Sequence, residues 1–308
     1  MSFLSGILDL GKSAIGFLSG SSIGSTLVKT ALLGYALNRM SQSVNKENNT
    51  GATANIDQGV RLQIKPASDN KIPVLYGAAF FGGIITDAQM SNSNKTMTYC
   101  LTLTERTGNR YSNSTATDYT FKDVYWADQR IVFKSDGITA DYMVDRSGTV
   151  DKSISGLVKI YCYKNGSSAP TVFENYTNAS PPMAYTVMPG WTEADSLMSN
   201  LVFAIVEVNY DREKGITGLA DLMFHIDTTM KNPGDVLYDY MTNTRYGAGI
   251  PSAEVNTTSI AALNTYSLES VTYEDEDDGI GQTLPDRYQI NGLLDTAKPV
   301  LENIELVC

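Results

Sequence analysis

The side chains that most often carry out chemistry in enzymes are sparse in this sequence. It contains one histidine, His225, and three cysteines, Cys100, Cys162 and Cys308, whose separation does not fit a Cys-x-x-Cys metal site. A Ser-His-Asp or Cys-His site would have to use His225, which lies on the polar side of an alternating segment. We expect this histidine to be solvated or hydrogen-bonded and both internal cysteines to be buried. The sequence therefore predicts no catalytic, cofactor-binding or metal-binding residues.

Carboxylates leave one enzymatic alternative open. A glycosidase needs two carboxylates about 5 to 10 Å apart in a cleft, and Trp126 or Trp191 could line such a cleft. Core or interface packing is the simpler expectation for both tryptophans. The acidic run at 273–279 places Gly279 where a calcium-binding loop needs an oxygen ligand, which favours a solvated loop. A glycan-active enzyme or a cell-surface adhesin on a β scaffold is the alternative function.

The composition narrows the class of protein. The chain has 308 residues, a hydrophobic content of 42% and a formal net charge of -11 at pH 7. The length and the hydrophobic content are sufficient for a sizeable core. Its lysines and arginines are scattered, so the sequence argues against a surface that binds nucleic acid or anionic lipid.

Most of the chain after residue 58 has the two-residue period of β-strands. In MTYCLTLT, the side chains of Met97, Tyr99, Leu101 and Leu103 point one way and the intervening threonines and Cys100 point the other. This alternation predicts a half-buried strand. Further strands are predicted at 59–65, 71–77, 121–126, 130–133, 157–163, 201–210 and 218–226. Turn-forming clusters separate them, as in a meander or a barrel.

The segment at 232–251 has the signals of a short helix. Asn232 can cap it, Pro233 occupies the first helical position, and Asp235 lies near the positive end of the helix dipole. Asn243 and the glycines that follow are expected to end it. The predicted apolar face consists of Val236, Leu237, Tyr240 and Met241. Another helix follows, for which Thr258 is the predicted cap, and then a strand and a last helix.

The first forty residues form an amphipathic helical segment by their pattern. Apolar residues recur at helical spacing and define one face, made of Phe3, Leu4, Ile7, Leu8, Ile15, Leu18, Leu27, Val28, Leu32 and Tyr35. Lys12 and Lys29 interrupt the two runs, which disfavours a spanning helix. The partner of this face is the body of the same protein, another protein chain or, less favoured, a membrane. Residues 41–58 have the composition of a linker.

The patterns divide the chain into four parts. The amphipathic segment at 1–40 and the linker at 41–58 precede a β-rich domain at 59–231, which includes an inserted β subdomain at about 105–200. The last part, 232–308, alternates short helices and strands. The overall fold class is α+β and predominantly β.

Three of these segments resemble one protein family. NPGDVLYDYMTNTRYGAGIP, residues 232–251, is similar to the helix and Arg-Tyr-Gly turn of hub proteins of long-tailed phages, the family of the lambda tip attachment protein (host-specificity protein J). KIPVLYGAAFFGGIITDAQM, residues 71–90, is similar to an earlier segment of these hubs. RYQINGLLDTAKPVLENIELVC, residues 287–308, resembles the strand and helix that come next. The resemblance spans residues 59–308, and the Arg-Tyr-Gly segment is its specific part.

This resemblance implies a structural role at the distal end of a phage tail. It implies barrel-like domains in a homotrimer that meets the distal tail protein ring, the tape measure protein and further tail-tip or fibre subunits. Genome DNA is met only in transit, which an acidic wall suits. Family members run on well beyond the matched region, so either a partner chain supplies the rest or the polypeptide is longer.

The matched positions are expected to serve folding and subunit contacts. They are Asn232, Pro233, Leu237, Asp239, Thr242, Arg245, Tyr246 and Gly247. Arg245 is expected to pair with Asp239 or with a carboxylate of a neighbouring subunit. Gly247 and Gly249 are expected to permit the tight turn. The amphipathic face of residues 1–40 is expected to engage the tape measure protein or the lumen of the tube.

Overall fold

A computed structural model describes residues 70–108, 117–176, 179–274, 281–284 and 286–307. Of these residues, 36% lie in strands and 18% in helices, and the architecture includes a sheet curled into a half barrel. The prediction of a predominantly β chain is confirmed. The described residues form a large unit, 70–268 with 288–307, and a small unit at 269–287.

Fifteen strands occur in the described part of the chain. In order they are β1 Val74–Tyr76, β2 Ala78–Phe81, β3 Ile84–Ser91, β4 Thr96–Glu105, β5 Tyr119–Trp126, β6 Gln129–Phe133, β7 Ala140–Val144, β8 Val150–Asp151, β9 Val158–Tyr163, β10 Pro170–Thr171, β11 Leu201–Asn209, β12 Leu222–Thr228, β13 Val271–Glu274, β14 Gly281–Leu284 and β15 Gly292–Leu294. These include a strand in every predicted segment except 59–65, which lies outside the described residues.

The described helices are short. They are α1 Ala184–Val187, α2 Pro233–Thr242, α3 Thr257–Ser267 and α4 Val300–Val307, with 3₁₀ turns at Glu174–Tyr176 and Ser252–Glu254. The predictions of helices after Asn232, after residue 256 and near the end of the sequence are confirmed. Helices of this length are stabilised mainly by packing.

Two sheets form the body of the large unit. The first has the order β10-β9-β11-β4-β1-β15, with β3 also paired to β4, and the second has the order β2-β12-β5-β6-β7-β8. Their facing sides share the main core, in which Leu101 and Ala204 of the first sheet meet Phe121 and Phe224 of the second. The small unit contains the hairpin β13-β14.

Strand β4 is buried on both faces in its second half, so the prediction of a half-buried strand was wrong there. Leu101 faces the main core, while Cys100 lies in a separate cluster with Phe203. The segment that carries α1 covers this second face through Ala184 and Met188. The two alternating sets of side chains on β4 therefore face two different buried clusters. This is possible because threonines and a cysteine can line a core.

Gly77 is the point at which the chain passes from the first sheet to the second. It separates β1 from β2, and its φ of 64° suits glycine. A Cβ at this position would lie 2.1 Å from the carbonyl oxygen of Ile290 and 2.3 Å from Oδ1 of Asn291. The side chain of Asn291 accepts a hydrogen bond from the backbone N–H of Ala78. The Tyr-Gly pair of this segment is therefore held by Ile290 and Asn291, the two residues directly before β15.

Several sequence predictions remain predictions. The amphipathic segment at 1–40, its apolar face and the linker at 41–58 lie outside the described residues. The large unit includes residues on both sides of position 232. The domain boundaries predicted at 231/232 and at about 105 and 200 are not decided by this division.

Candidate functional site: the junction around Asp239

Helix α2 begins as the sequence predicts, except for its cap. Pro233 occupies the first turn and Asp235 lies beside it. Asn232 is at the N-cap position, but its side chain makes no capping hydrogen bond. Its Nδ2 instead donates to Oδ2 of Asp235 at 3.3 Å. The side-chain cap predicted for Asn232 was wrong, because the nearby carboxylate is the acceptor for its amide.

The buried face of α2 carries two acids. Asp235 and Asp239 are 2% and 0% exposed and lie with Val236 and Tyr240, whereas Leu237 is only partly buried. A buried carboxylate needs hydrogen-bond donors, since burial without them is costly. Each acid has at least one hydrogen-bond partner from a segment distant in sequence. We take Asp235 and Asp239, with the residues that hydrogen-bond to them, as the candidate site.

Asp239 is the centre of the junction. Its Oδ2 accepts hydrogen bonds from the hydroxyls of Tyr76 and Tyr246, both at 2.7 Å. Its Oδ1 lies 3.4 Å from the donating backbone N–H of Gly108. Burial, together with the charge of Asp239, raises the pKa of both tyrosines far above the ordinary value. Both hydroxyls are therefore protonated donors at neutral pH.

Arg245 pairs with a residue that the sequence did not suggest. Its Nε lies 2.9 Å from Oε2 of Glu105, at the end of β4, and not against Asp239. Asp239 already receives two tyrosine hydroxyls, whereas the half-exposed Arg245 reaches Glu105 near the surface. Burial raises the pKa of Glu105 above its ordinary value of 4.5, and Arg245 offsets part of this rise. The expected pairing of Arg245 with Asp239 was wrong.

The turn after α2 brings Tyr246 back to the helix. Oδ1 of Asn243 accepts hydrogen bonds from the backbone N–H groups of Arg245 and Tyr246. A Cβ at Gly247 would lie 1.9 Å from the carbonyl oxygen of Tyr240. Gly249 adopts a φ of 66°. Glycine is therefore required at Gly247 by the close approach of the Tyr240 carbonyl and at Gly249 by a left-handed backbone conformation.

The third resembling segment also reaches this junction. Strand β15 pairs antiparallel with β1, and Nδ2 of the fully buried Asn303 in α4 donates to the hydroxyl of Tyr240 at 2.8 Å. The same Nδ2 lies 2.9 Å from the carbonyl oxygen of Asp295, to which it donates. Val74, Tyr76 and Tyr240 form one apolar cluster together with Val236, Tyr246, Met230 and Leu294. Segments 71–90, 232–251 and 287–308 therefore meet at one place.

A second polar pair joins α2 to α3. The backbone N–H of Asp235 donates to Oδ1 of Asn264 at 3.2 Å, and Nδ2 of Asn264 donates to Oδ1 of Asp235 at 3.1 Å. A Cβ at Gly234 would lie 2.5 Å from Oδ1 of Asn264, so the glycine permits this approach. Asn256, and not the predicted Thr258, caps α3, since its Oδ1 accepts from the N–H of Ser259. The two hydrogen bonds between Asp235 and Asn264 fix the angle between α2 and α3.

The predicted site residues divide into two groups. Asp239, Tyr246 and Gly247 lie in the junction, and Arg245 lies at its rim. Thr242 donates within its own helix, to the carbonyl oxygen of Tyr238. The junction residues that the sequence analysis did not name are Tyr76, Glu105, Gly108, Asn264 and Asn303. Tyr76 could have been found from its place in the resembling Tyr-Gly pair, whereas no local pattern indicates the others.

The internal cysteines and the histidine, which could have been catalytic or metal-binding residues, are packed against other side chains. Cys100 and Cys162 are buried, as predicted. His225 stacks on Phe80, with ring centroids 4.0 Å apart, and burial lowers its pKa. Within the described residues, no group of three or more His, Cys, Asp or Glu side chains is arranged to hold a metal ion. No helix in this part of the chain is long and apolar enough to cross a membrane.

The tryptophans and one surface groove bear on the glycan alternative. Trp126 is buried in the main core, and Trp191 Nε1 donates to Oδ2 of Asp87 at 2.8 Å. A groove of about 170 Å³ lies elsewhere, beside Met90, Met97 and Tyr210, and its described lining has no carboxylate. A glycosidase requires two facing carboxylates. The glycan-active reading stays a prediction.

Two short patterns that enzymes also use occur near the start of the sequence. Residues 6–13 have the spacing Gly-x₄-Gly-Lys-Ser of a phosphate-binding loop, and residues 20–24 have the spacing Gly-x-Ser-x-Gly. Each pattern requires a preceding strand and a following helix to be meaningful. Both lie outside the described residues, so the matches carry no argument.

Comparisons with known proteins give a weak likeness in structure. No model of a known family and no curated protein matches the chain. The chain is similar to a chain in a structure titled "Virion of native gene transfer agent (GTA) particle", with 14% sequence identity and a TM-score of 0.29. The alignment covers 71% of this chain and 38% of that chain. A likeness at this level carries no argument about function.

Proposed function

We propose that the chain is a structural virion protein, the hub at the tail tip or baseplate of a long-tailed phage. In this role it joins the tail tube to the tip or central fibre and takes part in host attachment and DNA delivery. It acts without catalysis and without a cofactor. The proposal rests on the resemblance in sequence to the tip attachment family, and the weak structural likeness adds no weight to it.

One observation supports this proposal beyond the resemblance itself. Three separate segments carry the family pattern, and Tyr76, Tyr246 and Asn303, one from each, point to the same buried junction. Chance matches to short patterns would have no reason to converge in space. The junction consists of hydrogen bonds and packed rings, as expected of residues that determine a fold and not a reaction.

The proposed partners follow from this role. They are two further copies of the chain in a homotrimer, the distal tail protein ring, the tape measure protein and additional tail-tip or fibre subunits. The amphipathic face of residues 1–40 is proposed to engage the tape measure protein or the lumen of the tube. The charge of -11 suits an assembly through which DNA passes without adhering.

The test locates the protein in the particle. A small epitope tag in the loop at Gly148, where a Cβ would have open space, serves as the label for gold-conjugated antibody and electron microscopy. We expect gold at the distal end of the tail, and particles without label when the same tag is placed on a non-virion protein. Removal of residues 2–40 is expected to give defective tails. Gold on the capsid, or absence of the protein from purified particles, would contradict the proposal.

A further inference from the structure

Strand β3 of the first sheet has an open edge. It pairs with β4, and within the described residues no strand pairs with its other side. Its exposed residues are Thr86, Ala88, Gln89 and Met90. The backbone N–H of Ala88 donates to Oδ1 of Asp87 at 2.7 Å, so it is not part of the ladder with β4, and the N–H of Met90 points to the same open side. An edge of eight residues without lysine or proline is a site at which another strand can pair.

The two faces of β3 differ in character. Ile85 packs against the main core, and Ala88 and Met90 follow on the same face after the bulge in the strand. Asp87 and Gln89 lie on the opposite face, where the amide of Gln89 donates to Asp87 at 3.0 Å. A strand that adds to this edge must therefore be apolar on one face and polar on the other, with positive charge favoured beside Asp87.

The groove of about 170 Å³ described above lies at this edge, because Met90 is part of its lining. Met97, Tyr99 and Val208 form further apolar parts of its wall, and Val208 belongs to the main core. A cavity of about 150 Å³ can hold a benzene ring, so this groove has room for one leucine or isoleucine side chain. The apolar face of β3 therefore continues into a space that the side chain of an added strand would fill.

The sequence GVRLQIK, residues 59–65, has the pattern that this edge requires. It lies outside the described residues, and it alternates three apolar with three polar residues: Val60, Leu62 and Ile64 with Arg61, Gln63 and Lys65. In an added strand the apolar set would face the main core and the groove, and the polar set would lie on the face of Asp87. Arg61 and Lys65 supply the positive charge that complements this carboxylate. A shift by one residue would reverse both faces, so the match also favours one register.

The connection to β1 has the length and direction that this position needs. β11 pairs with one side of β4, so β3 and β1 both pair with its other side, β3 up to Thr102 and β1 at Glu105. β1 is parallel to β4, so the chain before β1 comes from the direction of β3, whose place beside β4 is already taken. The five residues from Lys65 to Asn70 span up to about 17 Å, whereas one step between strands is about 4.8 Å. The segment can therefore reach the open edge of β3 and run antiparallel to it.

We propose that residues 59–65 of the same chain bind to the open edge of β3 as an additional antiparallel strand. This strand extends the first sheet, covers Met90 and fills the groove beside it. The chain before Gly59 then reaches the sheet at the turn between β3 and β4, at the end of β4 that is opposite to Glu105. The inference goes beyond the proposed function and does not depend on the role of the protein in a virion.

Hydrogen exchange of the full-length chain at single-residue resolution tests the pairing. The reporter is the N–H of Met90, which points away from β4. Leu62 would lie on the same face and use its own N–H in the new ladder, so Leu62→Pro removes this donor. We expect the Met90 amide to exchange about tenfold or more slowly in the wild type than in Leu62→Pro. Ala52→Pro, in the predicted linker, is the matched control and should keep the wild-type rate. Equal rates in the wild type and Leu62→Pro would overturn the proposal.

An engineered disulfide tests which chain supplies the strand. Leu62→Cys is combined in turn with Ala88→Cys and Met90→Cys, because directly opposite residues of paired strands have the Cα separation that a disulfide needs. Under mild oxidation we expect one of these pairs to crosslink within a single chain of 33.5 kDa. Leu62→Cys with Val150→Cys is the control and should stay reduced, since the exposed Val150 lies in the edge strand β8 of the other sheet. A crosslink between two chains, or none at either position, would contradict the assignment to the same chain.

Discussion

The hydroxyl of Tyr76 donates a hydrogen bond to Asp239 at 2.7 Å, across 163 residues of sequence. This bond joins strand β1 to helix α2, and Tyr246 donates to the same oxygen from the turn that follows the helix. A carboxylate oxygen can accept both bonds because it has two lone pairs and shares the negative charge of the group. Asp239 therefore joins β1, α2 and the turn after α2 through a single side chain.

Replacement of Asp239 by alanine should strongly destabilise the protein. Two buried tyrosine hydroxyls would lose their acceptor, and we expect the free energy of unfolding to fall by about 3 kcal/mol or more. Urea unfolding followed by circular dichroism measures the change. Asp221→Ala is the control, since Asp221 is exposed, and a loss of similar size there would contradict the assignment.

The two tyrosines should be energetically coupled. Tyr76→Phe and Tyr246→Phe each remove one hydrogen bond to a charged acceptor, worth about 1.5 to 3 kcal/mol. Because both donate to one oxygen, the double variant should depart from additivity by about 0.5 kcal/mol or more. A double-mutant cycle by urea unfolding measures this coupling. Tyr210→Phe, at a largely exposed tyrosine, should change nothing, and strict additivity of the pair would argue against a shared acceptor.

Local patterns in the sequence are sufficient to predict the strands and helices but not the contacts at the junction. The alternation of β4 and the Asn-Pro start of α2 depend on residues close in sequence, and both elements are present in the structure. The pairing of Glu105 with Arg245 depends on where β4 ends in space, which no local pattern states. The expected partners of Arg245, Asp239 or a carboxylate of a neighbouring subunit, therefore did not include Glu105.

The burial of polar side chains was the least predictable feature. Asp235, Asp239 and Asn303 are almost completely buried, although such residues are mostly exposed in proteins. Each has at least one hydrogen-bond partner that is distant in sequence, and only the fold brings those partners together. The three segments named for their resemblance lie together at the junction, although no local pattern in any of them states these contacts.

Gly247 should tolerate no side chain. An added Cβ would lie 1.9 Å from the carbonyl oxygen of Tyr240, so the turn would have to move and carry Tyr246 away from the junction. We expect Gly247→Ala to lower the free energy of unfolding by about 2 kcal/mol. Gly218→Ala is the matched control, because a Cβ there meets nothing within 4 Å. Equal stability of the two variants in thermal unfolding would show that the turn relaxes freely.

The cap of α3 can be assigned by a pair of substitutions. Asn256 accepts a hydrogen bond from the N–H of Ser259, so Asn256→Ala should cost about 1 kcal/mol. Thr258 lies one residue inside the helix, and Thr258→Ala should be neutral or slightly stabilising, since alanine is the better helix former. Urea midpoints of the two variants distinguish the positions. The opposite order would restore Thr258 as the cap.

Glu105 should make the stability of the protein depend on pH in the acidic range. Burial raises its pKa in the folded protein above the ordinary value of 4.5, so the folded state binds more protons than the unfolded state. This contribution to stability is fully present below pH 4.5 and is lost as the pH rises through the folded pKa. Over that window, stability relative to Glu105→Gln should fall with rising pH. Urea unfolding of both proteins at a series of pH values measures the difference.

The role of Arg245 provides the control for this pH dependence. Its charge lowers the pKa of Glu105 and so opposes the effect of burial. Arg245→Gln should therefore raise the folded pKa further and extend the window to higher pH, because the carboxylate would be buried without its cation. Glu213→Gln, at an exposed acid, should leave the pH profile as it is in the wild type. If Arg245→Gln leaves the window unchanged, the ion pair at the rim of the junction does not form in solution.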